Sequence, residues 1–548
     1  MKKEEPYRVS YYSACLPLLM QFSAVVANLM HALLGEFGRV EGPLNPTMTG
    51  EEMQDSVIQV SYAVCSIFRC QILPAQVKAQ CCQLLGIALQ NTALASVAMG
   101  RGDKTSEGKE SIGSMLCDFL VSDMRSTSKH MKLGISSRRQ SVVQMGKMAQ
   151  VATFALRALL ACSEGAKMAM VRNNYYRDLM MEFRVHSNAI LAVSLRKKQD
   201  PVILKKSESR LMLIFVLLKH FSFQSKVCSD ALAKEGVIEL IRSQLEAYPK
   251  GSAQVQNGAL GLLVNIVANS STACLEVIDV TFSSKNRAPS FFLHILDIWE
   301  SRKTLAPISR LCGYIVQGLL QIQESRTAIL KTDFVGRMIS LVERLLKKKN
   351  ATKIGQTLKF LSDLAAFKDS RSLILHHSSF SDLMEFILNV RSLEGNTRAM
   401  EEVILFPRNM SFSQDMKTYL SSNHEALHLL LERIYNFSAS PTMASYASSS
   451  LWALLYKSQR MKACLRNLGE ASQRLLGTQA ELVLYTKNPA DNLRPGDLLR
   501  IKETQRNLDQ ISAILLVAHQ DDEENDHSGD FVNHSLLLNG GKILGTVN

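Results

Sequence analysis

Proline and aromatic side chains are sparse in this chain: 13 Pro in 548 residues, with Phe, Trp and Tyr together at 7%. That scarcity suits a helical chain with few strands. Long apolar runs are missing too. The densest, at 211–218, falls well short of the roughly 20 residues a spanning helix needs, so no membrane span is expected. The basic start Lys2-Lys3 runs at once into Glu4, Glu5 and Pro6, and Gln21, Asn28 and His31 interrupt the apolar stretch behind it. Such a pattern is not a secretory leader, and a soluble intracellular chain is the expectation. The eleven Cys are odd in number and lack a framework spacing. Cys162, Cys228, Cys274 and Cys312 sit in apolar stretches and read as small buried hydrophobes of a reducing compartment. Cys65 and Cys70 are too far apart for a metal knuckle and Cys81-Cys82 has no second pair, so no metal is expected.

Catalytic constellations are equally scarce. The stretch 102–109 has five residues between Gly102 and Gly108, and Glu110 stands where a phosphate loop needs Ser or Thr. Arg101-Gly102-Asp103 would be an adhesion tripeptide only outside the cell. His376-His377 and the pair His519 and His527 have no further ligands in reach of the sequence pattern. No paired-carboxylate, Ser-His-Asp or Cys-His arrangement stands out. The chain reads as noncatalytic, with no cofactor and no small-molecule substrate. Its formal charge of +13 is dispersed in short clusters at 196–198, 205–206 and 347–349. They lack the interleaved aromatics of a nucleic-acid groove, so nucleic acid is not the expected partner.

What the chain has is a ladder. An aliphatic residue followed three positions later by Leu recurs at Leu156/Leu159, Ile214/Leu217, Leu260/Leu263, Val316/Leu319, Leu358/Leu361 and Leu451/Leu454, with Ile404/Pro407 as the variant. Register marks two residues beyond each pair (Ala161, Lys219, Asn265, Gln321, Asp363, Asn409, Tyr456) stand 58, 46, 56, 42, 46 and 47 residues apart. Residues at i and i+3 share a helix face, and a period near 40–47 is that of armadillo and HEAT repeats. The fold class read here is all-α, an armadillo/HEAT-like right-handed α-solenoid. Pro407 should kink or shorten its helix, since proline removes a backbone donor. The expected organisation is N-terminal helical repeats at 1–99, a mobile basic insertion at 100–146, the repeat array at 147–467, a C-terminal cap or helix at 468–518 and a disordered acidic tail at 519–548. Ser141, after Arg138-Arg139-Gln140, has the form of a basophilic kinase site whose phosphorylation would add negative charge to a basic linker.

Peptide-binding armadillo proteins carry a Trp and, four residues later, an Asn on the third helix of a unit. Asn265 and Asn409 fall at the Asn place and Trp452 at the Trp place, making them the candidate partner-binding residues. No unit carries both, which leaves importin-like peptide recognition as an alternative reading only. The blocks 257–265 (NGALGLLVN), 408–412 (RNMSF) and 447–457 (ASSSLWALLYK) resemble the C-terminal armadillo-like region of rotatin. That resemblance implies a noncatalytic scaffold of the centriole, centrosome and ciliary basal body, needed for cilium formation and left-right patterning, with centriolar or ciliary proteins as partners. It also implies that this much shorter chain is a fragment or short isoform.

Overall fold

A computed structural model describes residues 153–517, apart from short gaps at 162–163, 196–200, 248–251, 279–289, 302–303, 348–349, 389–395, 423, 469 and 488–493. The readings made for 1–99, 100–146 and 519–548, together with Ser141 and Cys162, lie outside the described residues. Among the described residues there is no strand and no helix long and apolar enough to cross a membrane. After a helical segment at 153–161, the helices fall into triplets of a short first, an intermediate second and a usually longer third helix. The fold is all-α and of the armadillo/HEAT-like α-solenoid class.

Two compact units divide the chain, Met1–Leu319 and Leu320–Asn548. In the first unit the triplets are α1 (Glu164–Arg172), α2 (Tyr175–Leu195), α3 (Pro201–Ser222); α4 (Lys226–Lys234), α5 (Val237–Ala247), α6 (Ala253–Asn269); and α7 (Ser271–Ile278), α8 (Phe291–Glu300), α9 (Ala306–Gln321), whose last turn holds the division. In the second unit they begin with α10 (Gln323–Leu330), α11 (Phe334–Leu346), α12 (Ala351–Ala365) and α13 (Lys368–Leu375), α14 (Phe380–Leu388), α15 (Thr397–Met410). There follow α16 (Gln414–Ser421), α17 (His424–Tyr435), α18 (Pro441–Leu455) and α19 (Gln459–Asn467), α20 (Glu470–Lys487), α21 (Pro495–Val517).

The ladder is the inward stripe of the third helices. Every aliphatic member of its pairs is at most 1% exposed, and Pro407 is buried with them. Helix starts are set locally: Asn350 and Asn396 cap α12 and α15 by accepting from Lys353 N (3.1 Å) and Ala399 N (3.0 Å). The aromatic minority goes into the core. Phe183 meets Phe215 edge to face at 5.2 Å in the first unit, and Phe334 lies against Phe360 in the second. Third helices approach closely where a side chain is missing: a Cβ on Gly355 of α12 would stand 3.1 Å from the Ala399 Cα of α15. Cys228, Cys274 and Cys312 are buried, and burial pushes the first two thiols up to about 11 and about 12.

Pro407 does less than its chemistry suggests. Helix α15 runs through it to Met410, with 14 residues against 15 in α12 and in α18. It lies in the last turn, so a single backbone bond, toward Val403, is forgone. Ser411 closes the end by donating its N–H (2.8 Å) and its hydroxyl (2.6 Å) to the Pro407 carbonyl.

Truncating a ladder residue should cost far more than truncating an exposed leucine of the same unit. Leu358→Ala is expected to lose about 2–5 kcal/mol. Leu373→Ala, at a position 51% exposed, should stay within about 0.5 kcal/mol of the parent. Denaturant unfolding of the two variants checks this.

Candidate partner-binding face

Third helices of successive triplets pack side by side: α3 with α6 in the first unit, and α12, α15, α18 and α21 in sequence in the second. Their marked positions tie neighbours together. The Asn265 amide donates to the Lys219 carbonyl of α3 at 2.9 Å, and Asn269 to Ser222 O at 3.4 Å. Asn409 is 8% exposed, and its amide donates to Ser362 O of α12 at 2.9 Å. Trp452 is half-buried on α18 with its ring 5.6 Å from that of Tyr456. Asn265 belongs to the first unit, Asn409 and Trp452 to the second. An amide has two donor hydrogens; at both Asn sites one already serves the neighbouring helix.

A second device recurs at the fourth position of the short first helices. There Ser229 donates to Ser222 O, Cys274 to Val267 O, Arg326 to Leu320 O at 3.0 Å, and Arg371 to Ala365 O and Ala366 O at 2.7 and 3.0 Å. These are carbonyls at or near the end of the preceding third helix, which has no later turn to bond its last four. The cations also reach forward, to the turn that follows their own triplet. Lys167 donates to Phe223 O at 2.7 Å and Lys417 to Tyr456 O at 2.6 Å. The Arg326 guanidinium lies 3.3 Å from the Phe367 ring centroid and that of Arg371 5.4 Å from Phe412. Burial lowers Arg371 to about 10, which leaves it charged at neutral pH.

Across the third helices of the second unit runs a half-buried charged band that pattern reading did not find. Lys359 of α12 contacts Asp363 at 3.2 Å and Glu402 of α15 at 3.9 Å. Arg408 and Arg500 both face the Tyr446 ring of α18, at 5.6 and 5.4 Å. Glu503 of α21 accepts from Arg500 (2.9 Å) and from the Ser445 hydroxyl (2.8 Å). Burial raises the Glu402 carboxyl to about 7 against the pull of Lys359, and Glu402 Oε2 has no hydrogen-bond partner among the described residues. Asp363 is raised by burial as well. Lys359 is raised: burial opposes its charge, but its two carboxylate neighbours outweigh that. The band thus brings together charged and hydrogen-bonding groups from α12, α15, α18 and α21.

The chain is similar in sequence to rotatin. Rotatin of Mus musculus is 24% identical over 379 residues, covering 67% of this chain and 16% of that protein. Rotatin of Homo sapiens is 23% identical over 340 residues, covering 58% and 14%. The match thus spans about one-sixth of the length of these curated relatives. No family model matches. Among solved structures, an engineered protein aligns with a TM-score of 0.43 at 12% identity, over 83% of this chain and 99% of its own. A structure from work on a phosphorylation switch between cadherin and beta-catenin gives 0.39 at 11% identity, over 93% and 100%.

The chain holds no cluster of three or more metal-ligating side chains among its described residues. His376 Nδ1 contacts the Ser372 carbonyl at 2.9 Å, and His377 Nδ1 accepts from Ser379 N at 3.2 Å, so both rings take part in local turns.

Arg371→Met should lower stability by about 1–3 kcal/mol by stranding carbonyls at the end of α12. Arg371→Lys should lose less, because an ammonium keeps the charge but not the fork; chemical denaturation of both variants is the check. The band also predicts a pH slope. Between the ordinary carboxylate value of 4.5 and about 7, folded Glu402 keeps a proton that the unfolded chain has released. The stability this gives is complete below 4.5 and is lost as pH rises through about 7. Glu402→Gln should therefore match the parent near pH 5 and melt higher than it near pH 8, by thermal unfolding at the two pH values.

Proposed function

We propose that this chain is a noncatalytic protein-binding scaffold acting at the centriole and ciliary basal body, where it serves cilium formation and left-right patterning. The sequence similarity to rotatin carries the reading. Supporting it is the repeated triplet, whose units differ in the residues they turn outward while their inner stripe stays aliphatic. A solenoid of this kind presents a long surface, and affinity spread over several units needs no deep pocket. The partners are centriolar or ciliary proteins in the cytoskeletal compartment, and no cofactor is required. The docking residues are Asn265 in the first unit and, in the second, Asn409, Trp452 and the band from Lys359 to Glu503. Ser141 is the regulatory phosphorylation site of this proposal.

Imaging of the tagged full chain in ciliated cells is the test. A focus at the centriole or basal body, with loss of cilia on depletion, is the expected outcome. Diffuse signal with intact centrioles and cilia would sink the proposal, and shuttling at the nuclear rim would replace it with the peptide-adaptor reading.

A further inference from the structure

The charged band of the second unit balances its cations with carboxylates; the third helices of the first unit do not. In the second unit Lys359, four residues before the mark Asp363, is held between Asp363 and Glu402. The matching place before the mark Asn265 is Gly261, and the Lys219 side chain of α3 lies across it. A Cβ on Gly261 would stand 3.2 Å from Lys219 Nζ and 3.3 Å from its Cε. Lys219 is half-buried. Burial lowers its ammonium from the ordinary lysine value, and no described carboxylate counters this. Its ammonium has no ion pair or hydrogen-bond acceptor among the described residues.

Other cations gather at this place and acids do not. Burial, then Arg157, Lys219 and Lys167, lower the neighbouring His220 imidazole to about 4, so that ring is neutral at neutral pH. Arg157 is exposed on the helical segment at 153–161. That segment and α6 contain no Asp or Glu. The acid of α3 is Glu208, three turns before Lys219 and roughly 16 Å from it along the helix. Glu164 of α1 is already taken, by Lys167 at 3.1 Å and by the Ser225 hydroxyl at 2.8 Å. Asn265, half-buried beside Gly261, gives one amide hydrogen to the Lys219 carbonyl, and its second has no partner among the described residues. Helix α6 carries no aromatic side chain on which a base would stack.

We propose that the third helices of the first unit take an acidic segment of a partner protein, with a side-chain carboxylate pairing with Lys219 above Gly261 and the segment's backbone meeting the second amide hydrogen of Asn265. A half-buried ammonium without a counter-charge is unfavourable, and a docked carboxylate relieves it by a charge-assisted hydrogen bond. Arg157 adds attraction at longer range, which salt screens. The same charges repel a basic segment, so the face selects by sign. The assignment rests on the protein-binding reading of the chain and gives its first unit a class of partner.

Fluorescence anisotropy with the full chain tests it. The probe is a labelled peptide of alternating Glu and Ser, about ten residues long, enough to cross three helices packed about 8–10 Å apart. Its counterparts are the same peptide with Gln for Glu and an oligouridylate of similar length. At low salt the Glu peptide should bind and the Gln peptide should not. Lys219→Met should weaken binding about tenfold or more, the scale of one charge-assisted hydrogen bond, and Lys219→Arg should keep most of it. Lys331→Met, at an exposed lysine of the second unit, should change it by less than about twofold. Gly261→Asp supplies the carboxylate from within the chain and should abolish binding, with circular dichroism and thermal melting showing that each variant folds. Equal affinity for the Glu and Gln peptides, equal losses in Lys219→Met and Lys331→Met, or oligouridylate binding that depends on Lys219 overturns the proposal. A centriolar focus without peptide binding overturns this inference alone, whereas Lys219-dependent peptide binding without a focus supports it and overturns the cellular reading.

Discussion

The free carbonyls at the end of each third helix set the main constraint on this fold. A helix cannot bond its last four carbonyls to itself, and they carry the negative end of its dipole. In a stack of triplets these ends are covered by the next short helix and cannot be left to water. The chain answers with the fourth residue of that short helix: Ser229 and Cys274 in the first unit, Arg326 and Arg371 in the second. Lys167 and Lys417 use the same position to reach the following turn. The long stems of the cations add packing over Phe367 and Phe412. The aliphatic stripe supplies most of the burial, whereas these donors fix how one triplet follows the next.

Most of the fold was legible in the sequence, for a physical reason. Third helices are buried on a face that recurs at i and i+3, and Leu358/Leu361 or Leu451/Leu454 display it openly. The last third helix, α21, escaped the pattern because the places of Leu451 and Leu454, 58 or 59 residues on, fall at 509–510 and 512–513 (Asp509, Gln510, Ser512, Ala513), while Thr504 is buried at 0% exposure with its hydroxyl donating to the Arg500 carbonyl. A threonine that bonds its own helix behaves in the core as an apolar residue and looks polar in a string. Pro407 was legible as a departure but not in its effect, which depends on its distance from the helix end.

The candidate face was harder to read. Asn409 is visible by its place relative to the ladder, but its bond to Ser362 depends on how closely α15 approaches α12. That closeness is owed to Gly355 opposite Ala399. The charged band joins Lys359, Glu402, Tyr446, Arg500 and Glu503 from four different helices, each separately unremarkable. The fourth-position cations did carry a signal, a basic residue after Lys368-Asp369-Ser370 or Gln414-Asp415-Met416. A single basic residue in a polar break nevertheless reads as solvated until the preceding helix end is known.

The bonds within and between triplets share a scale. Asn265 to Lys219, Asn409 to Ser362, Lys417 to Tyr456 and Asn507 to Ser448 join residues 46, 47, 39 and 59 positions apart. Each closes a loop of about one repeat, and loop-closure entropy grows only slowly with length. Such a chain can begin folding at any triplet and extend by its nearest neighbour, without waiting for distant segments to meet. While it is being synthesised, each triplet completed can fold onto the one before it.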